Sequence, residues 1–202
     1  MIMGTIYIAI ASILWGLVHS VLASLAFTRL IRNISGELVF YRLYRFAYNV
    51  FALASFFPIL LMLITFPDRP LYSIPAPWVY LTTFGQGLAA IALIAGVMQT
   101  GLWEFAGLAQ LTSISPPSQP AGLVMSGLYA HVRHPLYAAG LLFIWLSPEM
   151  TLNRLVVWIS MSIYVVIGAY FEERKLLREF GALYADYKAR TPMLIPAWRK
   201  NT

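Results

Sequence analysis

The chain has 202 residues, of which 60% are hydrophobic and 11% charged, and its formal net charge is +6. This composition excludes a soluble globular domain and indicates an integral membrane protein with several spans. Cysteine is absent, which excludes a disulfide framework, a thiolate nucleophile and a cysteine-ligated metal site, and no metal site is expected. Because the basic residues flank apolar stretches, membrane lipids and not nucleic acid are the expected partners.

Five apolar segments predict membrane helices, at about 6–27, 46–66, 78–98, 135–147 and 151–171. The first segment is preceded by no Lys or Arg and exceeds the apolar part of a signal peptide, so it is interpreted as a span. The fourth has only about 11 to 14 residues and crosses a bilayer alone only if it is tilted or packed among other helices. The sequence therefore predicts one all-α domain, residues 1–202, a polytopic bundle of about five transmembrane helices with a C-terminal helical hairpin, followed by a tail at 172–202.

Small residues on two of these segments predict close helix packing. In the first segment Ser12, Gly16, Ser20 and Ser24 recur every four residues, which places them on one helix face. In the third segment the glycines at 85, 87 and 96 indicate a similar contact. The stretches 28–45 and 101–125 are expected to be loops, the second because Pro116, Pro117 and Pro120 oppose a regular helix.

The distribution of charge predicts the orientation. Twelve Lys and Arg residues fall in the stretches 28–45 and 100–134 and in the tail, whereas the opposite side has only Arg69 and Arg154. By the positive-inside rule the tail, with its C-terminal helix, is expected in the cytoplasm and the N-terminus outside.

The most informative stretch begins with Arg133-His134-Pro135-Leu136-Tyr137, just before the fourth segment. Proline suits the first turn of a helix, so the two preceding residues are expected at a helix N-terminus, where an anion binds favourably. The hairpin then returns the chain to Glu172-Glu173. Because acidic residues are unfavourable at a helix C-terminus, the helix is expected to continue toward Gly181.

This order of residues, continued by Phe180-Gly181, Tyr184, Tyr187 and a closing Ile195-Pro196, resembles the isoprenylcysteine carboxyl methyltransferase-like and phospholipid methyltransferase families of integral membrane enzymes. Details such as Phe143-Ile144-Trp145 are most similar to the branch of bacterial methanethiol S-methyltransferases and NnrU-like proteins. The resemblance implies an S-adenosylmethionine-dependent methyltransferase of a bacterial inner membrane. Its acceptor would be a small thiol, or a lipophilic thiol, carboxyl or amine.

The resemblance also implies a site. Arg133 and the helix N-terminus are expected to hold the carboxylate of the cofactor, the two glutamates its ammonium or ribose hydroxyls, and tyrosines its adenine or sulfonium. Glu173 is the first choice of general base, with His134 and His19 as further candidates. The expected catalytic residues are Glu173, Arg133 and His134; the expected cofactor-binding residues are Gly127, Tyr129, Arg133, His134, Pro135, Tyr137, Glu172, Glu173 and Tyr187; and the expected substrate-binding residue is His19.

Other interpretations of the pattern stay open. An NADPH-dependent membrane reductase of the sterol type has a similar C-terminal hairpin, and a haem-binding or accessory membrane protein would use the histidines. A small transporter or structural bundle is disfavoured, because no inverted repeat and no paired charges within the spans are seen. His19, Tyr184 and Tyr187 also have simple structural explanations, a neutral histidine bonded to a neighbouring helix and tyrosines at the membrane interface.

Overall fold

The computed structural model describes residues 2–115 and 122–196 of the chain. Within these ranges the protein is almost entirely helical, which confirms the all-α prediction. The helices are α1 Ile2–Ala23, α2 Leu25–Ser35, α3 Glu37–Thr65, α4 Trp78–Gln99, α5 Leu102–Ala106, α6 Leu108–Leu111, α7 Pro135–Trp145, α8 Leu152–Phe180 and α9 Ala182–Arg190, with a short 3₁₀ helix at Gly127–Ala130. Two short strands, β1 Pro70–Ser73 and β2 Glu149–Thr151, pair with each other.

Among the described residues, four helices are long and apolar enough to cross a membrane, namely α1, α3, α4 and α8. The fourth predicted span is the short apolar helix α7, with 11 residues. These helices make the chain an integral membrane protein, as predicted. The helical hairpin of α7 and α8 is present, and α8 continues past the glutamate pair to Phe180, which confirms the expected extension.

The two predicted loops are partly helical, so both predictions were wrong in part. Residues 28–45 lie in α2 and the beginning of α3, because Ser24 caps α2 by accepting a hydrogen bond from Phe27 N at 3.2 Å. Gly36, with φ +81°, separates the two helices. Residues 102–111 form α5 and α6, whereas the three prolines at 116, 117 and 120 lie outside the described residues. The predicted tail contains the end of α8 and all of α9, and its residues 197–202 also lie outside them.

The described residues form two compact units. The first comprises residues 2–72, 101–115 and 149–161, and the second comprises residues 73–100, 122–148 and 162–196. The long helix α8 contributes its first part to the first unit and the remainder to the second. The prediction of a single domain stays a prediction.

The first unit packs α1 against α3 around Ile8, Ile59 and Val157. The predicted face of small residues on α1 is buried at Ser12 and Gly16, which allows this packing. Ser20 is exposed and Ser24 instead caps α2, so the buried face is shorter than predicted.

A buried asparagine links three segments of the first unit by hydrogen bonds. Asn153, at the beginning of α8, is fully buried and accepts a hydrogen bond from the Thr5 hydroxyl at 2.6 Å. Its backbone N–H donates to the Asp68 carboxylate at 3.0 Å. Three segments that are distant in sequence are thus linked through one side chain and its backbone.

The second unit packs α4 closely against α7. A Cβ atom at Gly85 would lie 2.9 Å from a methyl group of Leu146, and one at Gly96 would lie 2.8 Å from a methyl group of Leu136. These two glycines therefore serve the close contact expected from the sequence, whereas a Cβ at Gly87 would meet no atom within 4 Å. The contact fixes the position of α7, whose N-terminus carries the motif.

Candidate active site

The motif residues converge in the second unit, where the N-terminus of α7, the end of α8 and the helix α9 meet. Pro135 occupies the first turn of α7, where its missing N–H removes no hydrogen bond. Arg133 and His134 precede it, and Glu172 and Glu173 project from α8. The residues predicted from two distant stretches of sequence are therefore brought together by the hairpin.

Glu173 is the centre of a buried ion cluster. Its side chain is only 5% exposed, and its Oε1 accepts a hydrogen bond from Arg133 Nε at 2.7 Å and is also contacted by Arg133 Nη2. Lys188 Nζ, from α9, lies 2.8 Å from the other carboxylate oxygen. Two cations stabilise the charged carboxylate, so this group is a weak proton acceptor.

Arg133 also connects the motif to the segment that follows α9. Its Nη1 donates to the carbonyl oxygen of Lys188 at 3.1 Å and to that of Thr191. Its backbone N–H donates to Pro192 O at 2.9 Å, and the N–H of the next residue donates to Met193 O at 3.1 Å. Each guanidinium nitrogen therefore has a partner within the protein, and none is left over for a ligand carboxylate without rearrangement.

Glu172 presents a second carboxylate of different character. It is 44% exposed, and its Oε2 accepts a hydrogen bond from the Tyr137 hydroxyl at 2.8 Å. The rings of His134 and Tyr137 are stacked, with centroids 5.3 Å apart and an interplanar angle of 8°. An accessible carboxylate and an aromatic surface thus lie side by side.

His134 lies between the two glutamates and is 6% exposed. Its Nδ1 is 3.7 Å from Glu172 Oε2 and its Nε2 is 3.5 Å from Glu173 Oε1, and Nε2 makes no hydrogen bond. Burial lowers the pKa of His134 below its usual value, an effect that Arg133 adds to and the two carboxylates offset only in part. The imidazole is accordingly neutral near pH 7, and the two carboxylates only reduce the cost of protonating it.

Three tyrosines complete the cluster as neutral phenols. Burial raises the pKa of Tyr129 and of Tyr184 to about 12, and it also raises the pKa of Tyr187. The Tyr187 hydroxyl donates to the carbonyl oxygen of Tyr129 at 2.6 Å. Tyr184 and Tyr187 are buried, so they stabilise the cluster from within, and none of the three phenols can act as a base near neutral pH.

Gly127 supports the site through its backbone. It has φ +60°, and a Cβ at this position would lie 2.0 Å from the side-chain nitrogen of Gln99. Gln99 Oε1 in turn accepts a hydrogen bond from Leu128 N at 3.2 Å. The glycine allows the turn that carries Tyr129. Any part that it has in cofactor binding would therefore be to permit this backbone conformation.

His19 lies in the first unit, on α1. Its ring stacks on Trp15 at a centroid distance of 4.6 Å and also faces Tyr48 at 4.6 Å. Trp15 is held in turn by a 3.1 Å hydrogen bond from its Nε1 to the Ser55 hydroxyl. The expected role of His19 in binding substrate stays a prediction.

Sequence reasoning missed Lys188, Thr191 and Gln99. The signal that could have found Lys188 is its position one turn after Tyr184, because residues four apart share a helix face. The contacts of Thr191 and Gln99 involve backbone groups and loop geometry, for which the sequence carries no periodic signal.

Comparison with curated proteins identifies several similar sequences. Methanethiol S-methyltransferase 2 of Bradyrhizobium diazoefficiens is 46% identical over 69 residues, which cover 34% of this chain and 27% of that protein. Methanethiol S-methyltransferase of Pseudomonas sp. (strain GM41(2012)) is 31% identical over 140 residues, 63% of this chain and 50% of the other. Protein-S-isoprenylcysteine O-methyltransferase of Schizosaccharomyces pombe is 37% identical over 81 residues, covering 37% and 33%.

The chain spans half or less of the length of each of these curated relatives. No family model matches it, and no solved structure matches it significantly.

Proposed function

The chain resembles the isoprenylcysteine carboxyl methyltransferase-like family of membrane enzymes, a resemblance that its relatives confirm, and on that basis we propose that it is an S-adenosylmethionine-dependent methyltransferase acting on a thiol. The observation that carries the proposal is the convergence of the Arg-His-Pro-x-Tyr motif and the glutamate pair around one buried ion cluster. The relatives give no support to the alternatives of a reductase or a haem protein.

The residues present fit the proposed cofactor. Glu172 is an accessible carboxylate that can accept hydrogen bonds from an ammonium group or from ribose hydroxyls. The stacked rings of His134 and Tyr137 offer an aromatic surface, which attracts a sulfonium. The first turn of α7 supplies backbone N–H groups without helical acceptors, which suit a carboxylate. S-adenosylmethionine, when bound, supplies a methyl group already activated for transfer.

We assign Arg133, Glu173 and Lys188 to positioning. Their mutual ion pairs and the carbonyl contacts of Arg133 hold α9 and the following segment against the N-terminus of α7. This assignment replaces the expectation that Glu173 is the base and that Arg133 binds the cofactor carboxylate directly. The role of these residues is to maintain the geometry in which Glu172 and His134 face a ligand.

We assign the proton transfer to His134. A thiol that takes the methyl group that S-adenosylmethionine would supply must give up its proton, and a residue of the protein must accept that proton. The Nε2 atom of His134 is buried without a hydrogen bond, and the lowered pKa keeps the ring neutral, so one ring nitrogen is available to accept a proton. After it takes the thiol proton, the imidazolium is stabilised by the carboxylates at 3.5 and 3.7 Å.

We propose the methyl acceptor from the names of the relatives, and the membrane location from the distribution of basic residues. Six of the similar curated proteins carry the name methanethiol S-methyltransferase, which favours a small thiol, and the isoprenylcysteine relative makes a lipophilic acceptor the second choice. The excess of basic residues on one side supports a bacterial inner-membrane enzyme with its N-terminus outside and its site at the cytoplasmic face.

The first experiment measures ligand binding by the thermal midpoint of the detergent-purified protein with and without S-adenosylhomocysteine. A ligand that binds only the folded state raises the midpoint. Glu172→Gln should reduce this increase, whereas Glu179→Gln, an exposed glutamate on the same helix, should leave it unchanged. No increase for the folded wild-type protein at millimolar ligand would refute the proposal.

The second experiment measures transfer of a labelled methyl group to methanethiol, to a prenylated cysteine and to a phospholipid. Transfer to methanethiol is expected. His134→Gln should lower the rate by about 10²-fold or more, also when S-adenosylmethionine is present at a concentration that saturates the variant. Equal transfer by the variant and the wild type would exclude His134 as the proton acceptor.

A further inference from the structure

The short helix α2 has two chemically distinct faces. Viewed along its axis, Ala26, Phe27, Leu30, Ile31 and Ile34 lie on one side, and Thr28, Arg29, Arg32, Asn33 and Ser35 lie on the other. Phe27 and Ile31 are half-buried, but Leu30 and Ile34 are 52% and 73% exposed. The helix therefore packs only part of its apolar face within the first unit.

The connections of α2 determine its inclination. The Tyr44 hydroxyl donates to the carbonyl oxygen of Leu22, so the end of α1 lies level with the second turn of α3. From there to Glu37, where α3 begins, the axial distance is about 10 Å, whereas the 11 residues of α2 span about 16 Å. A helix of that length between these levels lies oblique to α3 and does not continue either span.

The basic residues of this region have few acidic partners. Residues 25–45 contain four arginines, at 29, 32, 42 and 45, against the single Glu37. Within the described part of the chain these arginines form one ion pair, between Arg32 and Glu37 at 3.4 Å, which joins two exposed side chains and is correspondingly weak. No salt bridge to Arg29 is found within residues 2–115 and 122–196.

We propose that α2 is an interfacial helix that binds anionic phospholipid. Both neighbours of α2 are membrane spans, so its exposed apolar residues lie at the boundary between hydrocarbon and headgroups, where such a helix inserts its apolar face. Arg29 and Arg32 on the opposite face are then placed among the headgroups. Their positive charge favours headgroups with a net negative charge over zwitterionic ones. Phosphatidylglycerol is the probe for this lipid class.

The absence of cysteine in the chain makes the depth of α2 directly measurable. Single variants Ile34→Cys and Asn33→Cys, each spin-labelled and reconstituted in vesicles, place a probe on the apolar and the polar face of the same turn. The label at position 34 should collide more with oxygen, which concentrates in the membrane, and the label at position 33 more with a water-soluble nickel complex. Equal exposure of both labels to the nickel complex would show that the helix lies in water and would overturn the proposal.

The charge selectivity is measured with the label at position 34 in two kinds of vesicle, phosphatidylcholine alone and phosphatidylcholine with phosphatidylglycerol. The anionic lipid should move the label deeper, and this response should be lost in a background with Arg29→Gln and Arg32→Gln. The matched control removes two exposed arginines at the other end of α3, by Arg69→Gln and Arg154→Gln, and should keep the response.

Two outcomes would contradict the assignment. A response that survives in the variant lacking Arg29 and Arg32 would show that these arginines do not select the lipid. Spin–spin broadening with loss of access to both collision reagents would show that a second copy of the chain covers the apolar face. The thermal midpoint of each variant in detergent confirms that the comparison is made between folded proteins.

Discussion

Replacing Glu173 by glutamine tests whether the buried ion cluster supports the architecture of the second unit. Glu173 and Arg133 are 5% and 8% exposed, and removing one member of a buried ion pair costs about 3 to 5 kcal/mol because the remaining charge is uncompensated. Arg133 retains its carbonyl partners and glutamine can still accept one hydrogen bond, so the lower value of about 3 kcal/mol is expected.

The same reasoning predicts a much smaller effect for Lys188→Gln. Lys188 is 47% exposed, so water screens its interaction and the expected loss is about 1 kcal/mol or less. For a chain of this length 1 kcal/mol corresponds to about 2 to 4 °C in the thermal midpoint. Glu173→Gln should therefore lower the midpoint by about 6 to 12 °C, and Lys188→Gln by about 4 °C at most.

The assay is the thermal midpoint of the detergent-purified variants, followed by tryptophan fluorescence. Glu179→Gln controls for loss of a negative charge on α8, because this glutamate is exposed and should change the midpoint by less than about 2 °C. If Glu173→Gln were as stable as Glu179→Gln, the buried carboxylate would not hold the site together, and our assignment of a positioning role would be refuted.

Three further outcomes follow from the structure. Burial lowers the pKa of His134, so the unfolded chain binds a proton more readily than the folded protein. The contribution of His134 to the free energy of unfolding is therefore fully present above about pH 6.5 and is lost as the pH decreases through the folded-state pKa. A pH series of thermal midpoints should show this loss, and His134→Gln should reduce it. Gly107→Ala should lower the midpoint strongly, since Gly107 has φ +83° and a Cβ would lie 2.5 Å from Phe46 N, whereas Gly140→Ala, where a Cβ meets nothing within 4 Å, should have little effect. Asn153→Ala should cost about 1 to 3 kcal/mol by removing its buried hydrogen bonds, and an unchanged midpoint would show that its network does not stabilise the first unit.

The membrane helices were predictable because hydrophobic length is a strong signal. The extension of α8 past the glutamates was also predictable, since carboxylates at a helix C-terminus are unfavourable. The helix α2 was not predicted, because two arginines directly after a span are also typical of a loop, although its apolar residues recur with the period of a helix. The helices α5 and α6 were not predicted, because they are short and the prolines that oppose a helix in this stretch follow them by several residues.

The sequence predicted which residues form the candidate site better than it predicted which residues contact each other. Arg133 and Glu173 were both expected at a ligand, and the structure shows them bound to each other. The ion pair between them depends on the position of α9, because Arg133 also donates hydrogen bonds to the carbonyl oxygens of Lys188 and Thr191. Backbone acceptors are the same in every residue, so no sequence pattern marks which of them an arginine will contact.

The contacts of Arg133 also have a consequence for the order in which the molecule is assembled. Its carbonyl partner Thr191 follows it by 58 residues, which a ribosome takes about 3 to 12 s to synthesise. During that interval α7 and α8 are synthesised while the guanidinium still lacks its partners in α9 and beyond. The cluster is therefore completed only after α9 has been synthesised, and until then the guanidinium must keep its hydration.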